Sequence, residues 1–175
     1  MKNSIIALAT LVASAVAGPN KLRAQSFSDD NIQLAGQNVG VIASTDDHEL
    51  INPKAVKNFT RAYKNVTTET WLKTKDGFAA RFVVDGIRTT ILYDNKGRWM
   101  GVVKNYTEEK LSAEIRHIVK SKYYDFAIFY VDELQTIESG GVPTYIVHLE
   151  DKHSLKLVRV FDGEMEVWRD FVKAN

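Results

Sequence analysis

Apolar and polar residues alternate with two different periods along this chain, and the switches between them mark its elements. Residues 77–103 read GFAARFVVDGIRTTILYDNKGRWMGVV, three runs rich in β-branched and aromatic side chains. Alternation at period two is the pattern of half-buried strands. Asp85-Gly86 and Asp94-Asn95-Lys96-Gly97 separate the runs, and Gly accepts the positive φ that tight hairpin turns require. The pattern predicts an antiparallel meander. Its first strand sets Phe78, Ala80, Phe82 and Val84 on one face and Ala79, Arg81 and Val83 on the other. The second sets Ile87, Thr89, Ile91 and Tyr93 against Arg88, Thr90 and Leu92, and the third alternates through Trp99, Gly101 and Val103.

On either side the period changes. Asn52-Pro53 is a helix start, since Asn caps free amides and Pro suits the first helical position. Val56, Phe59 and Tyr63 then make one apolar face, with an end expected near Asn65; the Thr-rich residues 66–74 favour a strand. A second helix is expected from Thr107, with Glu108 and Glu109 at its positive end and Leu111, Ile115, Ile118 and Val119 as its stripe. Strands are predicted over residues 126–137, 145–149, 155–161 and 165–171, with a Gly140-Gly141 turn and a tight turn at Asp162-Gly163. Helix and four strands thus occur twice, over residues 52–106 and 107–175. The predicted class is α+β: two helix-plus-four-strand repeats forming one antiparallel sheet, with two helices packed on one face and the other face open.

The first 24 residues carry a different pattern. Lys2 precedes the apolar run 5–16, and Ala15-Val16-Ala17 offers a small-x-small cleavage site. This is the pattern of a signal peptide, cut after Ala17 or Ala24, and it places the protein in the periplasm or secreted. Residues 25–51 are rich in Ser, Asp, Asn, Gln and Gly and read as a flexible leader, although 39–42 (VGVI) has the composition of an edge strand.

Composition narrows the function classes. At 175 residues and 45% apolar content, the chain suits one globular domain. A net charge of +1 from 23 basic and 22 acidic residues gives no field favouring nucleic acid or an acidic membrane. The chain has no cysteine, which removes disulfides, thiol catalysis, thiolate metal sites and a lipoprotein anchor. No segment after the signal peptide reaches the length of a transmembrane helix.

Trp71, Gly77-Phe78, Phe82, the run from Leu92 to Trp99, and a helix-led second copy ending in Val160-Phe161-Asp162-Gly163 resemble the PepSY-like proteins. These are exported bacterial domains, frequent in Bacteroidetes, described as resembling the beta-lactamase inhibitory protein. The resemblance covers about residues 53–172. It implies two helix-plus-sheet repeats with a concave sheet and a periplasmic or extracellular location, and it implies no established activity. The sequence departs from the family pattern at Phe78, where Tyr is frequent, and at Ser112, where Pro is frequent.

Candidate chemistry is sparse. His148, Glu150, Asp151 and His153 lie close in sequence, but their spacing matches no catalytic zinc pattern and reads as a solvated turn. The acidic cluster around His48 lacks calcium-loop spacing. There is no nucleophile elbow or phosphate-binding glycine loop, and the Glu164 and Glu166 pair reads as a solubilising strand face. No catalytic residue, metal site or cofactor is therefore assigned. Asn58, Asn65 and Asn105 match the N-glycosylation pattern, which is meaningful only in a eukaryotic source.

Aromatic residues are the strongest remaining signal. Trp71, Tyr93, Trp99, Tyr130, Tyr145 and Trp168 all fall on predicted strands, and two helices cover only one face. Trp168, sharing a face with Glu166 and Asp170 opposite Met165, Val167 and Phe171, is the aromatic expected on the open side. The sequence thus points to an exported, non-enzymatic, protein- or peptide-binding module, inhibitor-like in fold, with Trp168, Arg159 and Arg81 as candidate contacts. Alternatives are a structural or assembly protein of the cell envelope, pairing through sheet edges, and a small hydrolase with an unrecognised site.

Overall fold

A computed structural model of the chain describes residues 50–173. The signal segment, the edge-strand candidate at 39–42 and the cluster around His48 lie outside the described residues.

Helix α1 (Pro53–Ala62) starts as its sequence dictates. The Asn52 side chain accepts a hydrogen bond from the Lys54 amide at 3.0 Å, and Pro53 occupies the first turn. Ile51, assigned above to the leader, is only 6% exposed and belongs to the core. It precedes the cap, and Val56 lies one turn in; both pack on the same cluster, in the arrangement of a hydrophobic staple. The helix ends at Ala62 rather than near Asn65. Tyr63 leaves helical geometry as its ring stacks on Phe59, 5.3 Å away, and meets Phe82 at 5.0 Å.

Four strands follow: β1 (Thr70–Thr74), β2 (Gly77–Val84), β3 (Ile87–Asp94) and β4 (Trp99–Tyr106). A short 3-10 turn, Glu108–Lys110, then precedes α2 (Ala113–Lys122). The second helix therefore does not begin at Thr107. Leu111, with extended backbone angles, turns into the core and breaks the run, and Ser112 recaps it by accepting from the Ile115 amide at 3.3 Å. The chain ends in β5 (Ala127–Thr136), β6 (Thr144–Glu150), β7 (Ser154–Phe161) and β8 (Glu164–Val172).

All eight strands form one antiparallel sheet in the order β1-β2-β3-β4-β5-β6-β7-β8, each paired with its sequence neighbour. The predicted turns carry the predicted geometry. Asp85 and Gly86, like Asp162 and Gly163, have positive φ at both central positions, the mirror-type turn that matches strand twist.

Both helices lie on one face of this sheet. Ala55 and Phe59 of α1 pack on Trp71, Phe78, Ala80, Phe82, Ile91, Tyr93 and Val102. Ile115 and Val119 of α2 pack on Tyr106, Ile128, Val131, Val147, Leu149, Val158 and Val160. One register row, Phe82–Thr89–Lys104–Glu133–Tyr145–Val160, runs from the first core to the second. Its centre is polar: Lys104 Nζ lies 2.7 Å from Glu133, whose other oxygen accepts from the Tyr106 hydroxyl at 2.7 Å. The fold is thus α+β, with two apolar cores side by side under two helices.

One-residue bulges at three places move side chains between faces. Met100 is extra between the Leu92–Gly101 and Tyr93–Trp99 pairs, so Trp99 faces the helices while Gly101 and Val103 face away. The simple alternation predicted for this strand is corrected accordingly. Phe129 is extra on β5, and Trp168 is extra on β8.

Candidate interaction face

Among the described residues, no helix or strand lies over the second face of the sheet. Its rows follow from the strand register. One is Val83–Arg88–Asn105–Asp132–Ile146–Arg159–Glu166. Beside it lies Thr70–Arg81–Thr90–Val103–Leu134–Thr144–Phe161–Glu164. On the other side, Tyr130, His148, Leu157 and Arg169 form a shorter row in β5 to β8.

The polar centre of the face is Asp132. His148 Nε2 lies 2.7 Å from one of its oxygens, and Asn105 Nδ2 donates to the other at 2.6 Å. The bulge at Phe129 sets two aromatic rings against one imidazole: Phe129 and Tyr130 meet His148 edge-on at 5.6 and 5.5 Å. Burial, reinforced by Asp132, raises the Tyr130 hydroxyl's pKa above its ordinary value, with Arg88 acting the other way. The phenol stays protonated at neutral pH. Among the described residues, the register neighbours of the His148–Asp132 pair include no Ser or Cys, the usual nucleophiles of a hydrolytic triad.

The β8 bulge builds a second feature. Trp168 and Arg169 both oppose Leu157, and the Arg169 guanidinium lies 5.5 Å from the Trp168 ring centroid, within cation–π range. Arg159, one row away, pairs with Glu166 at 2.8 Å. Trp168 therefore shares the open face with Glu166, as expected. Asp170 does not follow, because the bulge reverses the alternation after Trp168. Asp170 moves to the helix side, where it pairs with Lys156 at 2.5 Å, and Phe171 moves to the open side opposite Leu155.

Arg81 also projects from the open face, but on β2. Five strand spacings separate it from Arg159 on β7, about 24 Å along the sheet. Trp168 and Arg159 are neighbours; Arg81 is not part of their cluster. Its guanidinium Nε is buried without a hydrogen-bond partner, and burial followed by the charge of Arg88 lowers its pKa from the ordinary value. Arg169 Nε is buried without a partner as well.

The other sequence candidates fall elsewhere. Asp151 accepts hydrogen bonds from the His153 and Ser154 amides at 2.8 and 2.6 Å, and the first of these chiefly holds its pKa below the usual carboxylate value. That is a capped turn. Among the described residues no group of His, Asp and Glu is arranged to hold a metal ion. Trp71, Tyr93, Trp99 and Tyr145 pack under the helices. Asn105 is buried against Asp132 and leaves no room for a glycan. Sequence reasoning missed the His148–Asp132 pair. It is 16 residues apart in sequence, and only the Phe129 bulge brings Asp132 and His148 onto adjacent rows of one face.

No family model and no curated protein matches the chain. Solved structures do share its fold. A DUF2874 family protein from Bacteroides ovatus superposes with a TM-score of 0.56 at 10% identity, over 70% of this chain and 87% of that one. A BLIP-like protein from Bacteroides fragilis gives 0.55 at 14% identity, over 71% and 88%. A structure from Bacteroides eggerthii described as "putative periplasmic proteins" gives 0.55 at 16% identity, over 70% and 88%. At these identities the likeness is one of fold. No helix among the described residues is long and apolar enough to cross a membrane.

Proposed function

We propose that this chain is an exported, non-enzymatic binding module that grips a protein or peptide on the open face of its sheet. The observation that carries the reading is the cluster on β5 to β8: Tyr130, His148, Trp168, Arg159 and Arg169 share a face that no described helix or strand covers. Aromatic and arginine side chains are the residue types that most often dominate binding energy at protein interfaces. Trp168 and Arg159 are the contacts assigned there, and Arg81 serves as an outlying contact near β1. The fold shared with a BLIP-like protein supports an inhibitor-like manner of binding. The apolar N-terminal run and the periplasmic description of one fold neighbour support a periplasmic or secreted location.

The scaffold beneath this face is a duplication in our reading, with residues 52–106 and 107–175 as its copies. The recurring order of helix and four strands and the two separate cores support it.

A second reading rests on a different observation. Among the described residues β8 is a nine-residue edge strand with Val167, Phe171 and Val172 exposed, and edges of this kind accept a further strand. Envelope assembly through edge pairing is therefore the alternative. Affinity capture from native extract with purified protein separates the two. A partner captured in stoichiometric amount and lost with Trp168→Ala supports face binding. Concentration-dependent self-association abolished by Val167→Lys supports assembly. A hydrolytic role would instead require turnover that disappears with His148→Ala or Glu150→Ala.

A further inference from the structure

We infer that the open face has an occupant in its own chain: the acidic segment 25–49, docked through Phe27, Asp29 and Asp30. The inference rests on the open-face reading above, and three observations carry it.

The first is charge. Segment 25–49 contains Asp29, Asp30, Asp46, Asp47 and Glu49 and no Lys or Arg. The face it would meet presents Arg81, Arg88, Arg159, Arg169 and His148 against Asp132, Glu150, Glu164 and Glu166. Of these acids, Glu166 is engaged by Arg159, Glu150 by Lys173, and Asp132 by His148 and Asn105. Arg81 and Arg169 each keep a buried Nε with no hydrogen-bond partner. Arg159 and His148 are spent in those pairs, so Arg81 and Arg169 are the guanidinium groups that an added carboxylate would satisfy.

The second is burial. Leu72 and Ala79 are 3% and 2% exposed, and Leu157 is 7% exposed, yet all three sit on the face that no described helix or strand covers. The third is reach. The segment joins the fold at Ile51, whose neighbour Asn52 donates to the Asn95 carbonyl at the β3–β4 turn, so it leaves at the end of the sheet. From there Phe27 has about 80 Å of extended chain, enough to cross the edge and lie over every row.

Phe27-Ser28-Asp29-Asp30 places an aromatic ring beside two acids, complementary to Tyr130 beside Arg88. A partner protein would have to displace this segment, so docking sets the concentration at which partners bind.

The absence of cysteine makes the test clean, because Ser28→Cys creates the only thiol. A nitroxide on that thiol in the exported chain broadens nearby amide signals in nuclear magnetic resonance. Docking predicts loss of the Arg88, Asn105, Tyr130 and His148 amide peaks, while Glu114, His117 and Ser121 on α2 keep theirs. It also predicts recovery of the lost peaks in about 0.5 M salt, which shortens the screening length to a few Å, and with Asp29→Lys/Asp30→Lys. Peaks retained across β4 to β6, or loss centred on α2, overturn the inference. Loss that persists unchanged in Asp29→Lys/Asp30→Lys overturns its charge basis. Loss seen only when spin-labelled and isotope-labelled copies are mixed assigns the occupant to a second molecule instead. The pattern is read without any partner, so failure of partner capture would sink the binding reading and leave the docking intact.

Discussion

The two halves of the molecule use their aromatic residues differently: the first keeps them under its helix, and the second divides them between the two faces of the sheet. In α1 and β1 to β4, Phe59, Tyr63, Trp71, Phe82 and Tyr93 form a chain of ring contacts under the helix. The open side of those strands carries small and aliphatic residues together with Arg81, Arg88, Thr90 and Asn105, and no aromatic ring. In α2 and β5 to β8 the core is mainly aliphatic, built on Ile115, Val119, Val131, Val147, Leu149, Val158 and Val160, with Phe126, Tyr123 and Tyr145 at its margins. There the aromatics Phe129, Tyr130, Trp168 and Phe171 fall at bulges or on the open face, beside arginines and a histidine. The same architecture thus has one half whose aromatics build the core and one half that keeps Tyr123, Phe126 and Tyr145 inside and sets further aromatics on the open face.

The largest expected effects test the stabilising role. Phe59→Ala removes the ring at the centre of the first core and should cost about 3–5 kcal/mol in urea denaturation, against about 2–5 kcal/mol for Leu149→Ala in the second. Because the cores share one sheet, both variants should keep a single transition. Two separated transitions in Phe59→Ala would show that the halves unfold independently.

Gly77→Ala is a sharper local probe. A Cβ there would sit 1.9 Å from the Tyr93 carbonyl oxygen, so backbone must move, at a cost of about 1–3 kcal/mol or more. A melting temperature equal to wild type would contradict the tight β2–β3 approach that seats Tyr93. Smaller again is Ser112→Ala, which removes the α2 cap for about 1 kcal/mol and should leave the first core untouched.

Alkaline pH probes each core through one buried tyrosine, Tyr93 in the first and Tyr106 in the second. Burial, with the neighbouring Tyr63, pushes the Tyr93 hydroxyl up to about 12, and burial with Glu133 raises that of Tyr106 further. A group whose folded pKa is raised contributes stability below its unfolded value, about 10 for tyrosine, and loses it as pH climbs toward the folded value. Stability should therefore fall between pH of about 10 and 12, less steeply in Tyr93→Phe. An identical slope in that variant would mean that Tyr93 ionises as readily in the folded protein as in the unfolded one.

Much of the fold was legible because local signals and global pattern agreed. Asp85-Gly86 and Asp162-Gly163 fixed two hairpins, Asn52-Pro53 fixed one helix start, and period-two alternation fixed β2 and β3. What failed was what a single extra residue changes. Phe129 and Trp168 interrupt the alternation without a glycine or proline to announce it, and beside Met100 the only sign is Gly101. Those interruptions put Trp99 under the helix, joined His148 to Asp132, and exchanged the faces of Asp170 and Phe171. The site was less legible than the fold because it is built at bulges. The start of α2 failed for another reason: Thr107 and Ser112 are both good caps, and burial of Leu111 decides between them.

The most direct measurement compares capture of a native partner by wild type, Trp168→Ala and His117→Ala, with melting temperatures alongside. Trp168 is partly buried on the open face, and His117 is exposed on the helix layer. Binding through the β5 to β8 face predicts that Trp168→Ala melts near wild type and loses the partner, while His117→Ala keeps it. A partner retained by Trp168→Ala and lost by His117→Ala would contradict the assignment and move the interaction to the helix side.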